Sequence, residues 1–217
     1  MSLRGFLGVL LLGLCGVSRC ADVQTYGIDD CFQGDTAATH ACRMKVKAAY
    51  QAVQYMQVRH GLPNRICTLG PNANTQQLLD GLRRDLLEIA AAAHNMPIAV
   101  LTVGVVVDPL TCPSGKARQI EGLAAGQVLN LCKMPPPQGG FDVCVAYIAS
   151  LRDALVALST YKGVDNFFCV PPHARLMGDK EAAQMLIEEL KRDLKAQQVR
   201  PAAEIFAEGL AHRYPCS

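Results

Sequence analysis

Two stretches of the chain share one pattern that decides its fold: CRMKVKAAYQAVQYMQ at residues 42–57 and CVAYIASLRDALVALS at residues 144–159. Each stretch begins with a cysteine and then repeats apolar residues three or four positions apart, the spacing of one face of an α-helix. The apolar positions correspond at an offset of 102 residues; they are Val46, Ala49, Val53 and Met56, and then Ile148, Leu151, Leu155 and Leu158. The sequence therefore predicts the same long helix twice.

The cysteines extend this correspondence beyond the helices. Eight of the ten cysteines, all of them after residue 21, form two sets of four at offsets of 101, 102, 102 and 104 residues: Cys31, Cys42, Cys67 and Cys112, and then Cys132, Cys144, Cys169 and Cys216. Matched spacing of this kind indicates an internal duplication. We divide the chain into a first four-cysteine module at residues 22–112, a connection at residues 113–125 and a second module at residues 126–217.

Each module is predicted to contain three helices, which makes the fold class all-α, with a pseudo-two-fold axis relating the modules. In the second module, the long helix is followed by one capped near Asp179 and one that begins at Pro201, since proline suits a first turn. Their counterparts in the first module run from about residue 75 to 92 and from residue 97 to 107. Val100 to Val107 is rich in β-branched residues and would favour a strand by itself. The repeat favours a helix there.

The first residues are typical of an export signal. Arg4 precedes an almost unbroken apolar run at residues 6–17, and small residues follow. This run is shorter than the roughly 20 apolar residues that span a bilayer, so we expect residues 1–21 to be cleaved and the protein to leave the reducing cytoplasm. Arg19 occupies a position where a lipoprotein signal has a small residue, which disfavours lipid attachment at Cys20.

The pairing of the cysteines follows from export and helix geometry. An even, repeated set in an exported chain favours disulfides over metal ligands or a nucleophile. A helix of about 18 residues from Cys144 would put Cys169 roughly 25 Å away, whereas a disulfide needs about 4.4–6.8 Å between Cα atoms. Three helices that alternate in direction would bring Cys216 to Cys169. The predicted pairs are Cys132–Cys144 and Cys169–Cys216, with Cys31–Cys42 and Cys67–Cys112 in the first module.

Composition and motifs argue against several function classes. The formal charge is only +2, and two of the arginines, Arg4 and Arg19, lie in the predicted signal, so there is no basic surface for nucleic acid. The sequence has no zinc-protease His-Glu-x-x-His, no Gly-x-Ser-x-Gly and no phosphate-binding glycine-rich loop. The five histidines are scattered and read as surface or capping residues. We predict no enzyme, no cofactor and no metal site.

Four segments of the second module carry a further pattern: Leu129-Asn130-Leu131-Cys132, Cys144 through Ala154, Phe168-Cys169-Val170-Pro171 and Tyr214-Pro215-Cys216. Together they resemble the Rap/Tai family of type VI secretion amidase immunity proteins, over about 85 residues. The resemblance implies a small helical periplasmic protein, often dimeric, that binds and blocks a peptidoglycan amidase. With two modules in one chain, the expected state is a monomer that forms its own pseudo-dimer.

The candidate contact surface is the loop from Val170 to Gly178. Pro171 and Pro172 would stiffen it, and His173 and Arg175 could reach a catalytic cysteine or an acidic cleft of the effector. The alternative interpretation of this loop, and of the proline-rich segment at residues 135–140, is a simple connection. We therefore predict an interaction protein of the immunity type. The alternative is a structural or envelope-associated helical scaffold without inhibitory activity.

Overall fold

The computed structural model describes residues 31–32, 37–62, 76, 79–80, 83, 97–107, 120, 122–134, 140–160, 166–170, 176–192 and 199–216. These residues form six helices and contain no strand: α1 (Ala37–Arg59), α2 (Ile98–Val107), α3 (Ala125–Lys133), α4 (Gly140–Ser159), α5 (Asp179–Arg192) and α6 (Ala202–Arg213). The fold is all-α, as predicted. Among the described residues, no helix is both long enough and apolar enough to cross a bilayer.

The two long helices with the shared pattern, α1 and α4, pack against each other and form the centre of the molecule. Both bury residues on most of their circumference, including Val46, Val53, Leu151 and Leu155, none of which has any exposed surface. A helix that is apolar nearly all round belongs in a core. The other four helices then cover this pair: α2 contacts both members, α3 and α5 contact α4, and α6 lies against α5.

Residues 98–107 were predicted as a strand by local propensity and as a helix by the internal repeat. Residues 98–107 are helical despite their β-branched side chains, and Ile98 through Leu101 are at most 6 % exposed. The hydroxyl of Thr102 is fully buried and donates to the carbonyl of Ile98 at 2.8 Å, so it carries no unpaired polar group into the core. Burial against α1 and α4 outweighs the small intrinsic preference for a strand.

The observed helices differ from the prediction at the starts of α1 and α4, which lie before their cysteines, and in the presence of α3. Helix α4 begins at Gly140, four residues before Cys144, and α3 was not predicted at all. An antiparallel bridge between Ala124 and Pro201 fixes the starts of α3 and α6 together. In it, the backbone N–H of Ala125 donates to Arg200 at 2.8 Å and that of Ala202 donates to Leu123 at 2.9 Å. This contact attaches the connection between the modules to the last helix.

Three disulfides lie in the described part of the chain, and each joins a pair that helix geometry predicts. Their Cα atoms are 5.1 Å apart in Cys31–Cys42, 5.1 Å in Cys132–Cys144 and 4.8 Å in Cys169–Cys216. These separations fall in the usual range for disulfides. Cys67 and Cys112 lie outside the described residues, as do residues 1–30 with the predicted export signal and Cys20.

Candidate partner-binding site

The four residues predicted to contact a partner, Pro171, Pro172, His173 and Arg175, lie outside the described residues. The structure describes both flanks of their segment, at residues 166–170 and 176–179. These flanks determine where the segment leaves the helical body and where it returns. The contacts that hold the flank at residues 166–170 are called the first anchor, and those that hold the flank at residues 176–179 are called the second anchor.

The first anchor joins residues 166–170 to the end of α6. Cys169 forms its disulfide with Cys216, and its backbone N–H donates to the carbonyl of Tyr214 at 2.8 Å. The preceding side chain, Phe168, is only 3 % exposed and lies in the main hydrophobic core. A covalent bond, a hydrogen bond and a buried aromatic ring thus hold this flank within three residues of Pro171.

The second anchor is the guanidinium of Arg152, on α4. Its Nη1 donates to the carbonyl of Met177 at 3.0 Å and to the carboxylate of Asp179 at 2.7 Å. Its Nε donates to Asp153 at 2.8 Å. Met177 itself is 3 % exposed. Arginine suits this position because its planar group carries several donors in fixed directions, so one side chain holds a carbonyl and two carboxylates.

Burial and charge oppose each other in this cluster. Burial alone would lower the pKa of Arg152, but the carboxylates of Asp153 and Asp179 raise it by a larger amount. The net shift of the pKa is upward, so the guanidinium stays charged. Burial raises the pKa of Asp153, an effect that Arg152 and Lys45 partly offset and that Asp179 reinforces. Two carboxylates share one buried cation here, and removal of that cation would leave both without their main partner.

The N-terminus of α5 completes the second anchor in a way that corrects the sequence prediction. Asp179 was expected to cap the helix, but it is the first helical residue and its carboxylate binds Arg152. The cap comes from Glu181, whose carboxylate accepts the backbone N–H of Gly178 at 2.7 Å. A carboxylate three residues into a helix serves this role in capping boxes. Asp179 is thereby free to bind the arginine.

An aromatic cluster links the first anchor to the first module. The His60 ring stacks on Phe167 with centroids 4.3 Å apart, and Phe167 meets Phe168 edge-on at 4.8 Å. His60 Nε2 also lies 3.0 Å from the hydroxyl of Tyr55. The sequence interpretation placed His60 at the surface, whereas the structure half-buries it under Phe167. The segment that carries the candidate site therefore rests partly on residues of the other module.

Charged side chains at the end of α1, on α6 and just before α6 act electrostatically on Tyr55 of this cluster. Arg59 pairs with Glu204 at 2.6 Å, while Arg200 pairs with Glu204 at 3.4 Å and with Glu208. Burial is the largest effect that raises the pKa of Tyr55, and the negative charges of Glu208 and Glu204 add to it, which brings the pKa to about 12. The Tyr55 hydroxyl consequently stays protonated over the whole physiological range and remains able to donate a hydrogen bond.

Among the described residues, no group of three or more His, Cys, Asp and Glu side chains could hold a metal ion. Sequence reasoning missed Arg152 and Phe167 because both depend on contacts with distant parts of the chain. One signal was present for Arg152: it lies one position after Leu151 and three before Leu155, on a helix that is otherwise apolar around that face.

Fold and site together define a disulfide-bonded, all-helical protein whose candidate site is a segment held at both ends. No family model matches the chain, and no curated protein or solved structure matches it either.

Proposed function

We propose that this chain is a periplasmic interaction protein of the immunity type, which binds and blocks a peptidoglycan amidase effector through residues 170–178. The observation that carries the proposal is the pair of anchors on either side of that segment. Cys169–Cys216 holds one end, and Arg152 holds the other through Met177 and Asp179. Binding segments held in shape lose less conformational entropy when they meet a partner, which raises affinity.

The composition of the segment supports the same proposal. It offers two prolines, which limit backbone freedom, together with an imidazole and a guanidinium that can donate hydrogen bonds to a catalytic site. An inhibitor of this kind needs no catalytic groups of its own. Its effect comes from occupying the cleft of the hydrolase, where substrate would otherwise lie.

The test is co-expression of the protein, directed to the periplasm, with the hydrolase encoded beside it. We expect the wild-type chain to prevent lysis and to be recovered in a complex. His173→Ala with Arg175→Ala should weaken binding roughly tenfold or more, about 1.4 kcal/mol, while helicity stays unchanged. The control is Lys47→Ala with Lys133→Ala, which removes two exposed cations on α1 and α3 and should bind as wild type.

Equal lysis with and without the protein, together with no recovered complex, would refute the immunity proposal. The chain would then be better described as a structural or envelope-associated helical scaffold. Equal loss of binding in the control pair would assign the effect to general charge and not to the segment.

We further propose that the two modules form an intramolecular pseudo-dimer. Under the offset of 102, Gln51 corresponds to Asp153 and Lys45 to Tyr147. Gln51 of the first module is hydrogen-bonded to Tyr147 of the second. Exchanging each residue for its counterpart turns this pair into Asp153 and Lys45, and Lys45 does act electrostatically on Asp153. A pseudo-two-fold axis would produce this reciprocal arrangement, with residues from both modules exchanging roles across it.

A chain that supplies its own second module has that module at an effective concentration in about the millimolar range. We therefore expect the protein to be a monomer at micromolar concentration. Sedimentation velocity measures this directly. A stable dimer at the lowest measurable concentration would contradict the pseudo-dimer, and it would leave the immunity proposal to its own test.

A further inference from the structure

Solvent reaches the three described disulfides to very different extents. Cys31 and Cys42 are both completely buried, and Cys144 is completely buried beside a half-buried Cys132. Cys169 and Cys216 are both exposed. Access of an attacking thiolate to a sulfur atom is one of the factors that set the rate of disulfide exchange. Of the three described disulfides, only Cys169–Cys216 has both cysteines exposed to an attacking thiolate.

Opening the exposed disulfide does not require the core to open. Phe168 is buried by its packing within the main core, and this packing does not depend on contacts with the sulfurs. The hydrogen bond from the Cys169 N–H to Tyr214 does not involve the sulfurs, and Tyr214 is itself held by a 2.8 Å bond to Leu210 on α6. These contacts keep the two chain segments adjacent after reduction. By contrast, a reductant reaches Cys31–Cys42 only if α1 and the residues around it separate.

We propose that Cys169–Cys216 is a thiol–disulfide exchange site of the folded protein, which reacts with dithiol reductants of the Cys-x-x-Cys class while Cys31–Cys42 stays intact. A thiolate of the dithiol attacks one sulfur and forms a mixed disulfide, and the other cysteine leaves as a thiolate that takes up a proton. The second thiol of the reductant then attacks the mixed disulfide and releases the remaining cysteine. Two electrons pass to the protein, and the reductant ends as a disulfide.

This site goes beyond the proposed function, since the exchange requires no effector. It lies one residue before the segment assigned to partner binding, so its two redox states would present that segment with and without a covalent anchor. The inference is tested on the purified, oxidised chain alone. Its outcome is therefore independent of whether an amidase is ever bound.

The experiment exposes the folded protein to increasing dithiothreitol without denaturant. Free thiols are blocked with one alkylating label, and the remaining disulfides are then reduced in denaturant and blocked with a second. Peptide mass spectrometry reads which label each cysteine carries. After one fixed incubation time, we expect Cys169 and Cys216 to be half-reduced at a reductant concentration at least roughly tenfold below that needed for Cys31 and Cys42. Near-ultraviolet circular dichroism should be retained at that concentration.

A second measurement uses a Cys-x-x-Cys oxidoreductase whose second cysteine is replaced by serine, which stops the reaction at the mixed disulfide. We expect it to be trapped on Cys169 or Cys216 of the wild-type chain and not on Cys169→Ser with Cys216→Ser. The proposal is overturned if all four cysteines open at one reductant concentration, if Cys31–Cys42 opens first, or if tertiary structure is lost as Cys169–Cys216 opens. If the double variant does not fold, the labelling of the wild-type chain still tests the proposal by itself.

Discussion

The phenol hydroxyl of Tyr147 donates a hydrogen bond to Oε1 of Gln51, across the interface between the two long helices. Both side chains are almost completely buried, at 0 % and 1 % exposed. Nε2 of Gln51 continues the contact by donating to the carbonyl of Leu123 at 3.2 Å. A single amide therefore joins α1, α4 and the connection between the modules.

Tyr147→Phe removes the donor and leaves Oε1 of Gln51 buried without it, so we expect the free energy of unfolding to fall by about 1–3 kcal/mol. Urea denaturation measures the loss. Gln51→Leu combined with Tyr147→Phe should cost less than the two single changes added together, because neither partner is then left unpaired. Simple additivity would mean that the pair is not coupled.

Gly122 gives a prediction about the connection. Its φ of +124° lies where other residues are strained, and a Cβ atom there would come within 2.9 Å of Nε2 of Gln51. Gly122→Ala should therefore combine backbone strain with displacement of the Gln51 amide and cost about 2–4 kcal/mol.

Gly61 offers the matched control for that change. It also has a positive φ, of +66°, but nothing lies within 4 Å of the added Cβ. Gly61→Ala should cost only the conformational part, about 1–2 kcal/mol. Thermal or urea unfolding compares the two. If Gly61→Ala proved the more damaging, the close approach of Gln51 would not be the deciding contact.

Arg152→Met tests the second anchor. The replacement keeps much of the length but removes the donors to Met177, Asp153 and Asp179, and the arginine side chain is only 7 % exposed. We expect a loss of roughly 2–3 kcal/mol, below the full value for a buried pair because Asp179 is partly hydrated. Hydrogen exchange should also rise at residues 176–178.

The control for this change is Arg192→Met on α5. Its ion pair with Glu189 spans 3.1 Å, but the arginine side chain is 58 % exposed. Glu189 is only 8 % exposed, but Nδ1 of His212 lies 3.3 Å from its carboxylate and remains as a second partner, so the change should cost less than Arg152→Met, about 0.5–1 kcal/mol. A similar loss in both variants would show that burial of Arg152 adds nothing to its role.

Tyrosine ionisation predicts the response to alkaline pH. Burial, Glu208 and Glu204 raise the pKa of Tyr55 from 10.0 to about 12, and burial also raises the pKa of Tyr147. A group whose pKa is higher in the folded state contributes stability that is complete below its unfolded pKa and is lost as pH rises toward the folded value. Stability should therefore hold up to about pH 10 and fall between pH 10 and 12.

Urea denaturation at a series of pH values measures this loss, and tyrosinate absorbance reports the ionisation. Tyr55→Phe should reduce the slope of stability against pH in that interval. Recovery of the original unfolding curve after return to neutral pH is the control for chemical damage to the disulfides. A stability that does not change between pH 10 and 12 would contradict the burial of Tyr55 as described.

The sequence by itself determined five of the six described helices and the three described cysteine pairs, because both follow from short-range regularities. Apolar spacing marked α1, α4, α5 and α6, and the length of α4 was enough to exclude a disulfide between Cys144 and Cys169. The duplication even corrected a local error, since it assigned a helix to residues 98–107 where β-branched side chains favoured a strand. A repeated pattern carries information about both copies, which a single propensity does not.

Only the tertiary structure decided how these helices support a site. The stack of His60 on Phe167 joins residues more than a hundred positions apart, and Arg152 on α4 binds Met177 and Asp179, which lie about 25 positions further along the chain. No periodicity encodes such contacts, because they depend on where whole helices pack and not on the spacing along any one of them. The same reason hid the bridge between Ala124 and Pro201 and the capping role of Glu181. Spacing fixes what a helix buries, while packing fixes which polar groups then meet.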